Sequence, residues 1–514
     1  MRTTNSIRRS TKGSRPAAKH PAEAPAATLV DKLFELRQDV ARGGLAMFKR
    51  WEPHIKRLAF RPAALNMAHY LTLRKQDIRP LQAALTPWGL SSLGRSEARV
   101  LASLDAVLLS LAALTERTEL ALPPRPRLAS FTLGERLLAR NTRRLFGDAP
   151  QGRETHIMVT LPEIAATDAA FVQALIARGM SCARINCAHG THAEWQAMVG
   201  NVRAAAVKLG RGCRVLMDLG GPRARTAAVF ARDERRLLAG DTLLLRREPP
   251  DPHAPEYPFQ AQCLPAEIFP QLVVGTALSI DEGRVGARVE AVGRAGIVAR
   301  VTRTPPGGVK LKPDKGLNFP GTALGIPALT DKDKNDLDVV VANADLIGYS
   351  FVQNESDIHA LWRELEPRLA RAHRAVPGLI LKIETEQAVH NVPGLIVAAA
   401  GRAPVGIMIA RGDLAVEVGF QRLAELQEEL LWLAEAAYTP VVWATQVLDS
   451  FVRKGRPSRA EISDVVMAQR AECVMLNKGD FLPEALEIVD DVFRRMQGHQ
   501  HKKTSRLRAL AAWA

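Results

Sequence analysis

Three absences bound this chain before any motif does. Its 514 residues include only five cysteines, an odd number with no paired ligand spacing. That argues against a disulfide framework or a zinc site and for a reducing, cytoplasmic compartment. No apolar run is long enough to cross a bilayer, so no transmembrane helix is expected. Acidic residues are scarce over one region alone: residues 1–150 hold 26 of the 70 lysines and arginines but 12 of the 54 acids, so +14 of the net +16 belongs to the amino-terminal part. Such charge marks a phosphate-bearing partner without specifying one. With 47% hydrophobic residues the chain can bury large cores, and its length implies about three domains.

What the chain does have is a repeated unit. Short, β-branched apolar runs end in polar residues at His156 to Leu161, Cys182 to Cys187, Arg214 to Gly220, Asp345 to Val352, Gly378 to Glu384, Val405 to Asp413, Pro440 to Gln446 and Glu472 to Asn477. Helical patterns separate most of them, at 168–177, 193–209, 332–342, 355–370, 423–437 and 483–496. Alternation of this kind predicts an α/β fold with a parallel sheet, and eight units predict a closed (β/α)8 TIM barrel. One gap, of about ninety residues after the third strand, is punctuated by Pro and Gly around short strand-like runs, which reads as a small all-β domain inserted in a barrel loop. The expected domains are therefore a disordered basic tail (1–27), a basic helical domain (28–150), the barrel (151–225 and 317–497), the inserted β domain (226–316) and a basic tail (498–514).

Polar residues at the carboxyl ends of barrel strands read as an active-site rim. Lys382 and Glu384 share one face of a strand, and Asp413 ends the next one. A lysine and two carboxylates gathered there could hold a divalent cation and a phosphoryl group. The bland alternative makes Glu384 and Asp413 structural partners of Lys382 and Arg411. Arg184, at the end of the second strand, suits a grip on phosphoryl oxygens, because its guanidinium is planar and always charged; a surface salt bridge is its alternative. Ala410, Arg411, Gly412 and Asp413 are expected to form a turn whose backbone N–H groups could hold a carboxylate.

The motifs Ala183 to Gly190, Met217 to Thr226, Lys315 to Gly321, Lys382-Ile383-Glu384, Ala410 to Leu414, Ala444-Thr445-Gln446 and Arg456 to Glu461 resemble, in their order and with the β insertion in place, the pyruvate kinases. The resemblance covers roughly Glu154 to Met496. It implies a phosphotransferase of glycolysis that moves phosphate from phosphoenolpyruvate to ADP, giving pyruvate and ATP, with Mg2+ (or Mn2+) on Glu384 and Asp413. It implies further that Lys382 steadies the phosphoryl group and the enolate oxygen, that Thr445 is linked to protonation of the enolate carbon, and that Asn186, His189, Arg225 and Lys315 lie on the nucleotide side. A cytoplasmic homo-oligomer is expected.

Departures from the family pattern matter too. The positions matching its monovalent-cation ligands are Asn186, Ala188, Asp218 and Leu219, so two ligands are lost and K+ is expected to be dispensable. Arg223 stands where a glutamate is usual, Gly220 replaces the motif lysine, and Arg223 could supply the missing positive charge. Gln353 replaces an arginine, and Asn477-Lys478-Gly479-Asp480 shortens a phosphate-side segment. These changes favour an alternative: a catalytically weak barrel serving as a binding or regulatory protein. A third reading keeps the fold with another enol phosphate or 2-oxo acid as substrate. The chain stops where the family usually adds a carboxyl-terminal regulatory domain, so that domain's effector site is expected to be absent. The helical domain lies outside the resemblance. Its stretch from Ile78 to Leu108 reads as helix, turn, helix and, with Arg74, Lys75, Arg79, Arg95 and Arg99, is compatible either with nucleic-acid binding or with a packing or oligomerisation role.

Overall fold

The computed structural model describes residues 26–505 apart from 118, 254, 255, 323 and 503. Residues 1–25 of the expected disordered tail, and the basic residues Lys503, Arg506 and Arg508, lie outside the described residues. None of the described helices is long and apolar enough to cross a membrane.

Eight strands close into a barrel: β1 (His156–Thr160), β2 (Cys182–Asn186), β3 (Arg214–Asp218), β4 (Leu346–Tyr349), β5 (Gly378–Ile383), β6 (Val405–Ala410), β7 (Val441–Ala444) and β8 (Cys473–Leu476). Each pairs in parallel with its sequence neighbours, and β1 pairs with both β2 and β8. They are buried almost throughout, as strands covered by helices outside and side chains inside must be. The period of two then sorts the side chains. Leu379, Leu381 and Ile383 of β5 face the helices, whereas Ile380 joins Met158, Cys182, Leu216, Met408, Val442 and Cys473 in an apolar plug inside the barrel. Continuing the inward rows toward the carboxyl ends gives Arg184, Asp218, Lys382 and Glu384. The barrel interior is therefore apolar at one end and charged at the other.

Between β3 and β4 a seven-stranded sheet runs from the strand Arg225–Ala231 to Leu317–Asn318. It has its own core, including Leu243, Phe259, Ile280 and Val301. The carboxyl-end loops of the barrel thus face an inserted β domain.

The amino-terminal part folds as α1 (Ala26–Trp51), α2 (Arg61–Leu73), α3 (Arg79–Leu85), α4 (Val100–Leu114) and α5 (Leu128–Phe146). The helices α1 to α4 share a core of Leu29, Leu33, Tyr70, Leu85, Leu104 and Leu108 that also takes in Ala436 of the barrel helix Phe420–Ala436. Docking is specific: Asn66 donates to the carbonyls of Glu97 (2.7 Å) and Ala436 (2.9 Å), and Tyr438 donates to Ala98 O at 3.0 Å. Helix α5, which the sequence pattern alone does not reveal, ends in Leu145 and Phe146, and these enter the apolar plug. The helical part therefore closes the amino end of the barrel.

The stretch from Ile78 to Leu108 does fold as α3, a turn with Gly89 at φ 64°, and α4. Three of its expected nucleic-acid-facing cations are engaged within the protein. Arg74 lies over the rings of Tyr70 and Trp432, Arg79 pairs with Asp77, and Arg99 donates to Glu135 and to Phe131 O. The basic tail expected from residue 498 begins with a short strand, Gln500–His501, paired to Thr504–Ser505.

Candidate active site

At the carboxyl end of the barrel, β2, β3 and β5 bring one carboxylate and two cations together. Asp218 Oδ2 accepts from Arg184 Nε (2.8 Å) and NH2 (2.5 Å) and lies 3.3 Å from Lys382 Nζ. Burial alone pushes the Asp218 carboxyl up, but the charges of Lys382 and Arg184 overcome it and hold the group below the usual range. The same balance works in reverse at Lys382: burial favours the neutral amine, and Asp218 and Glu384 hold it protonated, above its ordinary value. This cluster is possible because β4 carries Gly348, where a Cβ would stand 2.3 Å from Asp218 Oδ1. Asp218 Oδ1 is itself buried with no hydrogen-bond partner.

Lys382 has three close neighbours: Asp218, Glu384 Oε1 at 3.2 Å and Ser350 Oγ at 2.7 Å. Ser350, which follows β4, in turn donates its hydroxyl hydrogen bond to Leu219 O at 2.6 Å. This serine was not among the residues expected at the site. The signal was available, since Ser350 ends an apolar run as Lys382 and Asp413 do.

Glu384 is 2% exposed and accepts the backbone N–H of Phe351 at 2.6 Å. Burial, then the negative charges of Asp413 and Asp218, raise its pKa in spite of Lys382. Lys382 alone does not offset burial and two other carboxylates, and a divalent cation would supply further positive charge. Among the described residues no cluster of three or more His, Cys, Asp and Glu side chains could hold a metal alone. The available donor set, Glu384 with Asp413, therefore suits a hard cation that keeps most of its positions for other oxygens.

Arg223 places its NH2 2.8 Å from Asp413 Oδ1. It sits between the barrel and the β domain, where Gly316 leaves room: a Cβ there would meet its guanidinium at 3.1 Å. Its partner is one of the two candidate metal carboxylates. Gly220 and Gly221 donate to Asp333 Oδ1, which holds the glycine turn after β3.

The segment after β6 is a helix, Arg411–Val418, and not the expected turn. Gly412 N donates to Thr445 Oγ1 at 2.7 Å, so one of the expected free amides is engaged. Arg411 is committed as well: its guanidinium forks onto Asp464 (2.6 and 2.8 Å), stacks on Trp443 at 4.6 Å, and donates to the carbonyls of Ala444 and Thr445. Thr445 and Gln446 have φ of 62° and 58°, a backbone form that costs a non-glycine residue about 1–3 kcal/mol unless its surroundings hold it. Arg411, locked by Asp464, provides that hold. Ala410 ends β6 and lines the same rim.

The remaining expected residues lie across the cleft. Arg225 pairs with Asp314 at 2.6 Å and Lys315 with Asp281 at 2.9 Å. The pKa of His189 is lowered by burial and by the charge of Arg225, so its ring is neutral at pH 7. Asn186 turns its Oδ1 back to the N–H of Ala188 at 3.3 Å.

The known proteins that this chain is similar to come from one family. Residues 152–481 match the family model described as pyruvate kinase, barrel domain. The chain is 33% identical over 365 residues to the pyruvate kinase of Geobacillus stearothermophilus, covering 68% of this chain and 58% of that protein. It is 30% identical over 376 residues to pyruvate kinase 2 of Trypanosoma brucei brucei, with 70% of each covered. A crystal structure of a pyruvate kinase from Cryptosporidium parvum superposes with a TM-score of 0.60 at 27% identity, over 69% of this chain and 72% of that one. The chain thus spans a little under three fifths of the bacillar relatives it matches, and its amino-terminal helices lie outside the matched model. With its barrel and inserted β domain, this chain belongs to the pyruvate kinase family.

Proposed function

We propose that this chain transfers the phosphoryl group of phosphoenolpyruvate to ADP, giving pyruvate and ATP, at the carboxyl end of its barrel. The observation that carries this reading is the buried arrangement of Arg184 and Lys382 about Asp218, with Glu384 and Asp413 beside it. A β-phosphate oxygen of ADP forms the new bond to phosphorus as the bond to the enol oxygen breaks, and the enolate carbon then takes a proton. Such a transfer asks little covalent chemistry of the protein, so fixed positive charge and positioning supply most of the rate.

Lys382 is rigid and protonated where that charge develops. Its three N–H bonds face Asp218, Glu384 and Ser350, so a substrate oxygen has to replace one of them. Glu384 and Asp413 would hold a divalent cation, which would free the Lys382 N–H that now faces Glu384 for a substrate oxygen. When bound, Mg2+ or Mn2+ adds Lewis-acid charge at the substrate oxygens. Arg184 spends three N–H bonds on Asp218 and Thr160 and keeps two for the phosphoryl group. Thr445 accepts its hydrogen bond from Gly412, which leaves its own hydroxyl proton free to serve the enolate carbon. The first-turn amides after Ala410, other than that of Gly412, receive the substrate carboxylate, and Asn186, His189, Arg225 and Lys315 face the nucleotide.

Potassium is dispensable in this reading. Ala188 and Leu219 offer no side-chain oxygen, and the carbonyl of Leu219 is taken by Ser350. Arg223 brings a fixed positive charge beside Asp413, at the edge of the proposed metal site. The test is phosphorus NMR of the full chain with phosphoenolpyruvate, ADP and Mg2+: ATP resonances should grow as the enol phosphate signal falls. A phosphoenolpyruvate signal that stays constant over enzyme-equivalent turnovers would refute the activity.

A further inference from the structure

A second cavity lies at the opposite end of the barrel. It encloses about 610 Å3, a size typical of small-molecule sites. One wall is the face of α5 carrying Arg136, Leu138 and Ala139; the other is the barrel underside at His156, Gln469 and Glu472. His156 opens β1 and Glu472 immediately precedes β8, so the cavity touches the amino ends of strands whose carboxyl ends form the active site. Much of one wall comes from helices outside the region matched by the family model.

The lining has a definite chemistry. Its floor is apolar, with Ala98, Leu138 and Ala471. Six carboxylates also line it: Glu135 pairs with Arg99, Asp148 with Arg143 and Glu472 with Lys502, Glu154 meets the His501 ring, and Glu97 and Glu435 are engaged as well. Arg95 and Arg136 line the same cavity and, among the described residues, form no ion pair. We propose that this cavity binds a small amphiphilic organic anion. Its apolar ring body would lie on the alanine and leucine floor, and its acidic group would meet Arg95 and Arg136 at the mouth.

The probe is 8-anilinonaphthalene-1-sulfonate, which has a ring body, one N–H and one sulfonate. Titrated into the full chain, its fluorescence should saturate at one site per chain and remain unchanged by saturating phosphoenolpyruvate, ADP and Mg2+. The double variant Arg95→Glu with Arg136→Glu should weaken binding about tenfold or more. N-phenyl-1-naphthylamine, the uncharged counterpart, should bind the parent more weakly by a similar factor. Ala139→Trp, on the exposed side of α5, should fill the cavity and abolish the site; melting curves check that each variant folds, and the charge variant decides if Ala139→Trp does not. Displacement by the substrates would place the probe in the catalytic cleft and overturn the proposal. So would unchanged binding in the charge variant, equal binding of the uncharged probe, or no saturable site.

Discussion

Glu417 offers a sharp physical prediction, because its carboxyl is held where it titrates near neutrality. It lies on the helix Arg411–Val418, in a cavity of about 620 Å3 between the barrel and the β domain that also holds Asn318, Phe319, Gln353 and His390. Burial pushes its pKa from 4.5 up to about 7, the charges of Asp413 and Glu386 add to the rise, and a hydrogen bond from Asn318 opposes it. The folded protein therefore binds this proton more tightly than the unfolded chain does. Stability from this group is fully present below about pH 4.5 and is lost as pH rises to about 7. The full gap corresponds to about 3 kcal/mol, and partial solvent access reduces the expected effect to about 1–2 kcal/mol. Glu417→Gln removes the titration. Urea unfolding at pH 5 and pH 8 should then show the variant gaining about 1–2 kcal/mol on the parent between the two pH values. Other titrating groups cancel in that difference. The same gap at both pH values, or a parent that gains on the variant at pH 8, would refute the reasoning.

Three further outcomes follow from the site. Glu384→Gln should weaken Mn2+ binding about tenfold or more, measured by electron paramagnetic resonance of free Mn2+, because a cation held by two carboxylates cannot spare one; an unchanged titration would contradict the assignment. The parent should be about equally active in potassium and in a tetraalkylammonium salt at matched ionic strength, while Arg223→Glu should lose activity that potassium does not restore, since the missing oxygens at Ala188 and Leu219 stay missing. Asp464→Asn loosens the fork on Arg411 and hence the left-handed backbone at Thr445, so kcat should fall about tenfold with KM for ADP little changed, and an equal rise in KM would point to a general structural defect instead.

The barrel was readable in the sequence because parallel strands buried on both faces must be short, continuous apolar runs, and eight of them recur. The spacing of Lys382 and Glu384 also carried through, since the period of two fixes which side chains face inward. Other features were hidden for physical reasons. Helix Glu386–Ala400 contains Pro393, which masks its pattern. The start of the helix at Arg411 reads as a turn because Gly412 and Asp413 are turn residues, and only packing against Thr445 decides the matter. The partner of Arg223, Asp413, could not be read from the sequence, because which acid lies opposite depends on how the β domain folds back over the barrel. Asp218 gave no hint that it would collect both cations, for its partners lie 34 and 164 residues away. Helix α5 closes the barrel from outside the repeated pattern, so no periodicity announced it.

The central claim is that a buried, protonated Lys382 supplies positive charge to phosphoryl transfer. It is tested most directly by comparing kcat of the parent with that of Lys382→Met, using phosphoenolpyruvate, ADP and Mg2+ at saturation, with folding of both checked by their melting curves. Loss of one preorganised charge of this kind should lower kcat by about 10²–10³, with substrate binding nearly unchanged because the interaction strengthens in the transition state. Equal turnover by a folded Lys382→Met protein would contradict the account.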